Sequence, residues 1–134
     1  MNRWILLFAT GIAISACAAR AHHSVSGAYD TSQQVTIEGV IAQFHFVNPH
    51  PYVTVEVQEK GAGAKQWRGE MDNRRELVAV GVTGETLQPG DRVIVTGNPS
   101  RSESPALYIR KLDRPMDGFV YEQVGTSPRI RSPR

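Results

Sequence analysis

Two adjacent histidines, His22 and His23, are the residues of this sequence best suited to bind a metal ion. They follow Ala19-Arg20-Ala21, whose small residues at positions 19 and 21 are typical of a signal-peptidase cleavage site. Cleavage after Ala21 would give His22 a free α-amine, so this amine and two imidazoles would lie within two residues. Such nitrogen donors suit copper and zinc, and the sequence therefore predicts a metal site at the mature N-terminus.

His50, in the segment Asn48-Pro49-His50-Pro51, is the best candidate for a ligand from a distant part of the chain. With His22 it would resemble the histidine brace of copper proteins, in which a terminal amine and its imidazole share an ion with another imidazole. His45 is a weaker candidate, because the alternation of its strand places it at the surface. Carboxylates at Glu38, Glu70 and Asp72 are weaker still, since isolated carboxylates on strands are usually solvated.

Each of these candidates has an alternative interpretation. His22 and His23 could form a solvated terminus that binds metal only opportunistically. His50 could hydrogen-bond the backbone of a rigid turn, with Asn48 doing the same.

The first 21 residues read as a signal peptide, with a basic start at Arg3 and an apolar run over residues 4–16. A lipoprotein signal is the alternative, because Ile14-Ser15-Ala16-Cys17 resembles a lipobox and Cys17 is the single cysteine. Lipidation would tether the protein to a membrane and place the His22 amine in a peptide bond. Both interpretations predict an exported protein, periplasmic in the first case and membrane-anchored in the second.

Composition limits the remaining chain to one small domain without an evident nucleic-acid-binding face. Removing the signal peptide leaves 113 residues, and residues 22–122 carry 10 basic and 13 acidic side chains. A protein that binds nucleic acid without sequence preference normally has a basic face, so we expect no nucleic-acid partner. Residues 123–134 place three arginines among Pro, Ser and Gly, which predicts a flexible basic tail.

The apolar pattern predicts five strands and one short helix, and hence a mainly β fold. After Gly39 the alternation shifts by one residue, which suggests a β-bulge and places the side chains of Val40, Ala42, Phe44 and Phe46 inward. Asp72-Asn73 can cap the helix. The predicted elements are strands near residues 35–46, 52–58, 66–71, 93–95 and 106–112, with the helix over residues 74–80.

Three strands, a helix and two strands follow the order of the oligonucleotide/oligosaccharide-binding (OB) barrel. We therefore predict a small five-stranded OB-like barrel with its helix between strands 3 and 4. An open five-stranded sheet with a helix on one face is the alternative.

Three motifs together resemble a widespread bacterial family of small exported proteins of unknown function. They are His22-His23-Ser24, Asn48-Pro49-His50, and Leu87-Gln88-Pro89-Gly90-Asp91 before the fourth strand. The resemblance covers residues 22 to about 112 and implies a signal cut directly before the histidines. It implies no activity, and the arginine-rich tail and His45 depart from the usual pattern of the family.

A binding surface without metal is the alternative function. Tyr52 and Trp67 would stack on an oligosaccharide, peptide or other envelope component, and Arg68 would contact it. The alternation of its strand favours a core position for Trp67, which weakens this hypothesis. A third hypothesis is an envelope module that captures a protein partner through the basic tail. Because the sequence lacks recognisable nucleophile, metalloprotease and phosphate-binding motifs, we expect no enzymatic activity.

Overall fold

A computed structural model of the protein describes residues 25–133, and residues 1–24 and 134 lie outside the described part. The predicted signal peptide, Cys17, His22 and His23 therefore lie outside the described residues. The described elements are α1 (Val25–Ala28), β1 (Val35–His45), β2 (Tyr52–Glu59), β3 (Gly63–Glu70), α2 (Arg74–Ala79), β4 (Arg92–Pro99), β5 (Ala106–Arg114), β6 (Phe119–Val124) and β7 (Ser127–Arg131). Between residues 25 and 133, neither helix is long and apolar enough to cross a membrane.

Five strands close into a barrel, which confirms the predicted OB-like fold. The sheet runs β3-β2-β1-β4-β5, and a parallel pairing of β3 with β5 joins its two ends. The first strand serves two neighbours, because Val35 to Val40 pair with β4 and Val40 to His45 pair with β2. Valine and isoleucine side chains from four of the strands fill the interior, among them Ile37, Ile41, Val53, Val55, Val93, Val95 and Ile109.

The short helix α2 begins where the sequence predicted. The side-chain oxygen of Asn73 accepts a hydrogen bond from the Glu76 amide at 3.0 Å, which satisfies one of the free N–H groups of the first turn. Leu77 from the helix is fully buried and belongs to the core cluster. The cap therefore fixes where the helix begins, while Leu77 and a 2.9 Å hydrogen bond from the Arg74 amide to the Pro49 carbonyl attach the helix to the barrel.

The predicted position of the bulge in β1 was wrong. The register shift lies between Ile41 and Gln43, and Ile41 is buried while Val40 is 42% exposed. The alternation therefore continues through Gly39, and Ala42 is also exposed. Gly39 has a different role, because a Cβ atom there would overlap the carbonyl oxygen of Glu56 on β2. It permits a close approach of two backbones where the first strand changes partners.

A C-terminal hairpin extends the sheet, and its second strand lies where the sequence predicted a flexible basic tail over residues 123–134. Strand β6 pairs with β5, and β7 pairs with β6. Phe119 and Tyr121 are buried in the core, and Ile130 packs against it. The Gln123 side-chain amide ties the hairpin to the residue before the helix cap, because it donates a 2.7 Å hydrogen bond to Asp72 and accepts one from the Tyr121 hydroxyl at 2.8 Å.

Arg114 at the end of β5 connects two loops, the one between α2 and β4 and the one between β5 and β6. Its side chain is only 12% exposed and pairs with Asp91 at 2.7 Å and with Asp117 at 2.8 Å. It also donates a hydrogen bond to the backbone carbonyl of Thr86 at 2.8 Å. Hydrogen bonds from Arg114 hold the pKa of Asp117 below its ordinary value.

Replacing Gly39 with alanine should destabilise the barrel by about 3 kcal/mol, because the new Cβ must displace the β2 backbone. Urea-induced unfolding monitored by tryptophan fluorescence measures the change. Gly84→Ala is the matched control, since a Cβ there meets only Phe46 at 3.6 Å. Equal losses in the two variants would contradict the role assigned to Gly39.

Asp117→Asn should lower the free energy of unfolding at pH 7 and have a diminishing effect in acid. The folded-state pKa of Asp117 lies below the unfolded value, so its charge stabilises the fold above about pH 4. This contribution is lost as the pH falls through the folded-state pKa. Urea unfolding of both proteins between pH 7 and pH 2 measures it, and a difference that stays constant with pH would refute the explanation.

Candidate functional site

His50 lies at the end of the loop between β1 and β2, beside the end of β3. Its Nδ1 atom is 3.1 Å from the backbone oxygen of Met71. Because a carbonyl oxygen can only accept, this contact is a hydrogen bond when Nδ1 carries the proton. The neutral ring then has its lone pair on Nε2, and the side chain is 35% exposed. In this tautomer His50 offers Nε2 on a partly exposed ring, as metal-binding histidines do when their other ring nitrogen bonds a carbonyl.

The hydrogen bond of His50 also bears on the alternative interpretation of this residue, in which it bonds the backbone of its own turn. The imidazole does bond a backbone group, but this group belongs to Met71 at the end of β3. The contact fixes the ring against a neighbouring strand and leaves its second nitrogen for another partner.

Glu70 connects His50 to the N-terminal part of the described chain. One of its carboxylate oxygens lies 3.8 Å from His50 Nδ1, and the other accepts a 2.6 Å hydrogen bond from the Tyr29 hydroxyl. Burial and, next, this hydrogen bond raise the pKa of Tyr29 above its ordinary value. The ring of Tyr29 also packs on Tyr108 of β5, with centroids 5.8 Å apart. Tyr29, Glu70 and His50 therefore form one contact chain.

Backbone hydrogen bonds hold the N-terminal segment, residues 25–30, on the barrel. The Asp30 amide donates to Pro99 at 2.8 Å, and the Arg101 amide donates to Ala28 at 2.9 Å. Tyr29 forms a further bridge with Ser100. The segment therefore lies against the end of β4 and the loop that follows, with its tyrosine directed to Glu70.

Three candidate side chains from three neighbouring strands stack in one row. The imidazole of His45 lies on the Tyr52 ring with centroids 4.2 Å apart and an interplanar angle of 15°. The guanidinium carbon of Arg68 is 3.8 Å from the centre of the same ring. Tyr52 is the ladder partner of both His45 and Glu70, so the row adjoins the contact chain of His50. The Tyr52 ring is thus already in contact with two side chains of its own protein.

Trp67 is partly buried, in agreement with the alternation of inward and outward side chains along its strand. Its ring packs against the core cluster, and Lys65 Nζ lies 5.8 Å from the ring centre. The three residues proposed to bind a ligand are therefore not equivalent. Arg68 is exposed, whereas Tyr52 and Trp67 are partly covered.

The structure brings some predicted metal ligands near one another but does not assemble a complete site from the described residues. Within residues 25–133, no group of three or more His, Cys, Asp or Glu side chains could hold a metal ion. His50 and Glu70 are adjacent, whereas His45 contacts Tyr52. A complete site at His50 would need donors from outside the described part of the chain.

Sequence reasoning did not single out Tyr29 or Arg101, which fix the N-terminal segment. Neither residue belongs to a motif, and both act on partners more than 40 positions away along the chain. Glu70 was considered as a carboxylate ligand, but nothing in the sequence indicates that it joins Tyr29 to His50.

The fold and the site define a small OB-like barrel with an N-terminal segment fixed next to a partly exposed histidine. A family model of unknown function, DUF6152, matches residues 10–107 of the chain. The match covers more than half of the 134 residues, and the chain belongs to this family. No curated protein matches the chain significantly.

Tyr29→Phe should lower the free energy of unfolding by about 1–2 kcal/mol, because Glu70 loses a hydrogen-bond donor at a half-buried position. Chemical denaturation at pH 7 measures this loss. Tyr52→Phe is the matched control, because its ring contacts with His45 and Arg68 do not require the hydroxyl. A Tyr29→Phe variant as stable as the Tyr52→Phe variant would show that the Glu70 contact contributes nothing.

Proposed function

We propose that this protein is an exported, non-enzymatic metal-binding protein that holds one copper or zinc ion. The ligands would be the His22 α-amine, the imidazoles of His22 and His23, and the imidazole of His50. The hydrogen bond from His50 Nδ1 to the Met71 carbonyl is the observation that carries this proposal. Metal-binding histidines almost always donate their second ring N–H to a carbonyl or carboxylate, which fixes the nitrogen that faces the ion.

The path of the chain supports a shared site. The Tyr29 amide bonds the carbonyl of Val25, and the Tyr29 hydroxyl bonds Glu70 beside His50. His22 precedes Val25 by three residues, a separation of at most about 10 Å when extended. The paired histidines therefore precede, by only a few residues, a segment whose Tyr29 contacts Glu70 beside His50.

Glu70 would act in the outer shell of this site. A carboxylate near a ligating imidazole favours its Nδ1–H tautomer and increases the donor strength of Nε2. Nitrogen-rich sites bind Cu(II) more tightly than Zn(II), so copper is the ion that this set should retain best. Protons compete for the amine and the imidazoles, and binding should weaken below about pH 6.

The alternative function, an envelope module that binds an oligosaccharide, peptide or protein through its strands, has less support. Stacking on a ligand would need a free ring at Tyr52 or Trp67. Tyr52 contacts His45 and Arg68, and Trp67 packs against the core.

The experiment compares mature protein that begins at His22 with a His50→Gln variant. We expect one Cu(II) per chain and an affinity lower by at least about a hundredfold in the variant, because losing a ligand should cost no less than losing an outer-shell partner. Isothermal titration calorimetry against a competing chelator measures the affinity, and native mass spectrometry measures the stoichiometry.

Two further proteins make this test specific. One has the α-amine of His22 acetylated, which removes this donor and should also abolish tight binding. The other is His45→Gln, a matched histidine change, which tests whether His45, the fourth candidate histidine, contributes to copper binding. A mature protein that retains no copper through buffer exchange, or a His50→Gln variant with unchanged affinity, would refute the shared site.

A further inference from the structure

Arg68 of β3 carries its guanidinium on the outer face of the barrel. The side chain is exposed, and its guanidinium carbon lies 3.8 Å from the centre of the Tyr52 ring. The carboxylate of Glu70, two residues further along the same strand, accepts its hydrogen bond from the Tyr29 hydroxyl instead. Within residues 25–133, Arg68 forms no ion pair and its side chain makes no hydrogen bond. Its N–H groups therefore have no described acceptor and can bond an anion from outside the protein.

A stack around Tyr52 holds this guanidinium in place. The imidazole of His45 lies on the same ring, with centroids 4.2 Å apart and an interplanar angle of 15°. Two planar groups this close to one ring centre cannot share a face of the ring, so His45 and Arg68 cover opposite faces. A guanidinium already fixed on a ring loses less conformational freedom on binding than a free side chain does. Arg68 is thus pre-organised for a ligand.

A row of three polar side chains crosses the barrel at Arg68. Gln43, Thr54 and Arg68 are ladder partners on β1, β2 and β3. Val53 and Gly69 next to them are buried, so alternation places the row on the outer face. Among the described residues, the side chains of Gln43 and Thr54 also make no hydrogen bond. The row is about 10 Å long, because neighbouring strands lie about 4.8 Å apart.

We propose that Gln43, Thr54 and Arg68 form a binding site for an acidic sugar. The sugar carboxylate would bond the Arg68 guanidinium, whose fork matches it through two parallel hydrogen bonds, and sugar hydroxyls would bond Gln43 and Thr54. A singly charged carboxylate is favoured over a doubly charged phosphate, because the nearby Glu70 repels a dianion more strongly. This site goes beyond the proposed metal site, uses none of its ligands and needs no free face of Tyr52.

An NMR titration of the mature, metal-free protein with digalacturonate tests this inference. We expect weak binding, on the order of millimolar, that shifts the signals of the Arg68 Nε–H and the Gln43 side-chain amide. Arg68→Gln should weaken binding by at least about tenfold, because charge-assisted hydrogen bonds are lost. Arg75→Gln is the matched control and should leave the affinity unchanged. Arg75 carries the same charge and is exposed, but within the described chain it has no ring contact or ion pair. Equal losses in the two variants would indicate only general attraction to basic side chains and would overturn the inference.

Two variants of Tyr52 test the contribution of the stack. Tyr52→Leu keeps every charge but removes the ring beneath the guanidinium, and it should weaken binding by about threefold. Tyr52→Phe keeps the ring and should bind digalacturonate as tightly as the unmodified protein does. Equal affinities in these two variants would overturn the role assigned to the stack.

Two further probes test the chemistry of the ligand. The methyl ester of digalacturonate keeps the hydroxyls but has no charge, so it should bind at least about tenfold more weakly. Inorganic phosphate should also bind more weakly than digalacturonate. Equal affinity for phosphate would indicate an unselective anion site and would overturn the assignment to a sugar carboxylate. Because these titrations use metal-free protein, their failure and the failure of copper binding are separate results.

Discussion

The parallel pairing of β3 with β5 is the contact on which both the barrel and the site depend. It consists of three residue pairs, Arg68 with Ala106, Gly69 with Leu107 and Glu70 with Tyr108. Side chains alternate along each strand, so Leu107 of β5 lies in the core, where it is fully buried. The next pair, Glu70 and Tyr108, lies side by side on the outer face. The same pairing that closes the core therefore creates the surface on which Tyr29 packs. The position of the N-terminal segment next to His50 is a consequence of closure.

Much of this architecture is present in the sequence as local patterns. Alternating valines predict β2, and the paired Asp72-Asn73 predicts the start of α2, because both signals depend on neighbouring residues alone. The order of the elements then leads to the OB-like barrel. The register of β1 could not be predicted from its own residues. Gly39 in its middle is needed because a Cβ atom there would overlap the backbone of β2, a contact that exists only in the folded chain.

The C-terminal hairpin shows why composition can mislead. Gly, Pro, Ser and Arg are typical of flexible segments, yet Pro128 is buried and Ile130 packs against the core. The buried network of Tyr121, Gln123 and Asp72 supplies partners that no local pattern can indicate.

The same limit applies to the candidate site. The histidines are visible in the sequence, whereas the carbonyl of Met71, the carboxylate of Glu70 and the contacts of Arg101 appear only when the chain is folded.

Strand β7 has a consequence for how copies of this protein meet. Among the described residues it pairs with β6 alone, so its other edge ends the sheet. Edge strands invite pairing with a second chain unless charge or proline prevents it. Pro128 offers no N–H for such a pairing, and the exposed arginines at 129 and 131 would oppose like charges if two copies met antiparallel. The basic C-terminal strand thus gives the protein resistance to edge-to-edge aggregation at high concentration.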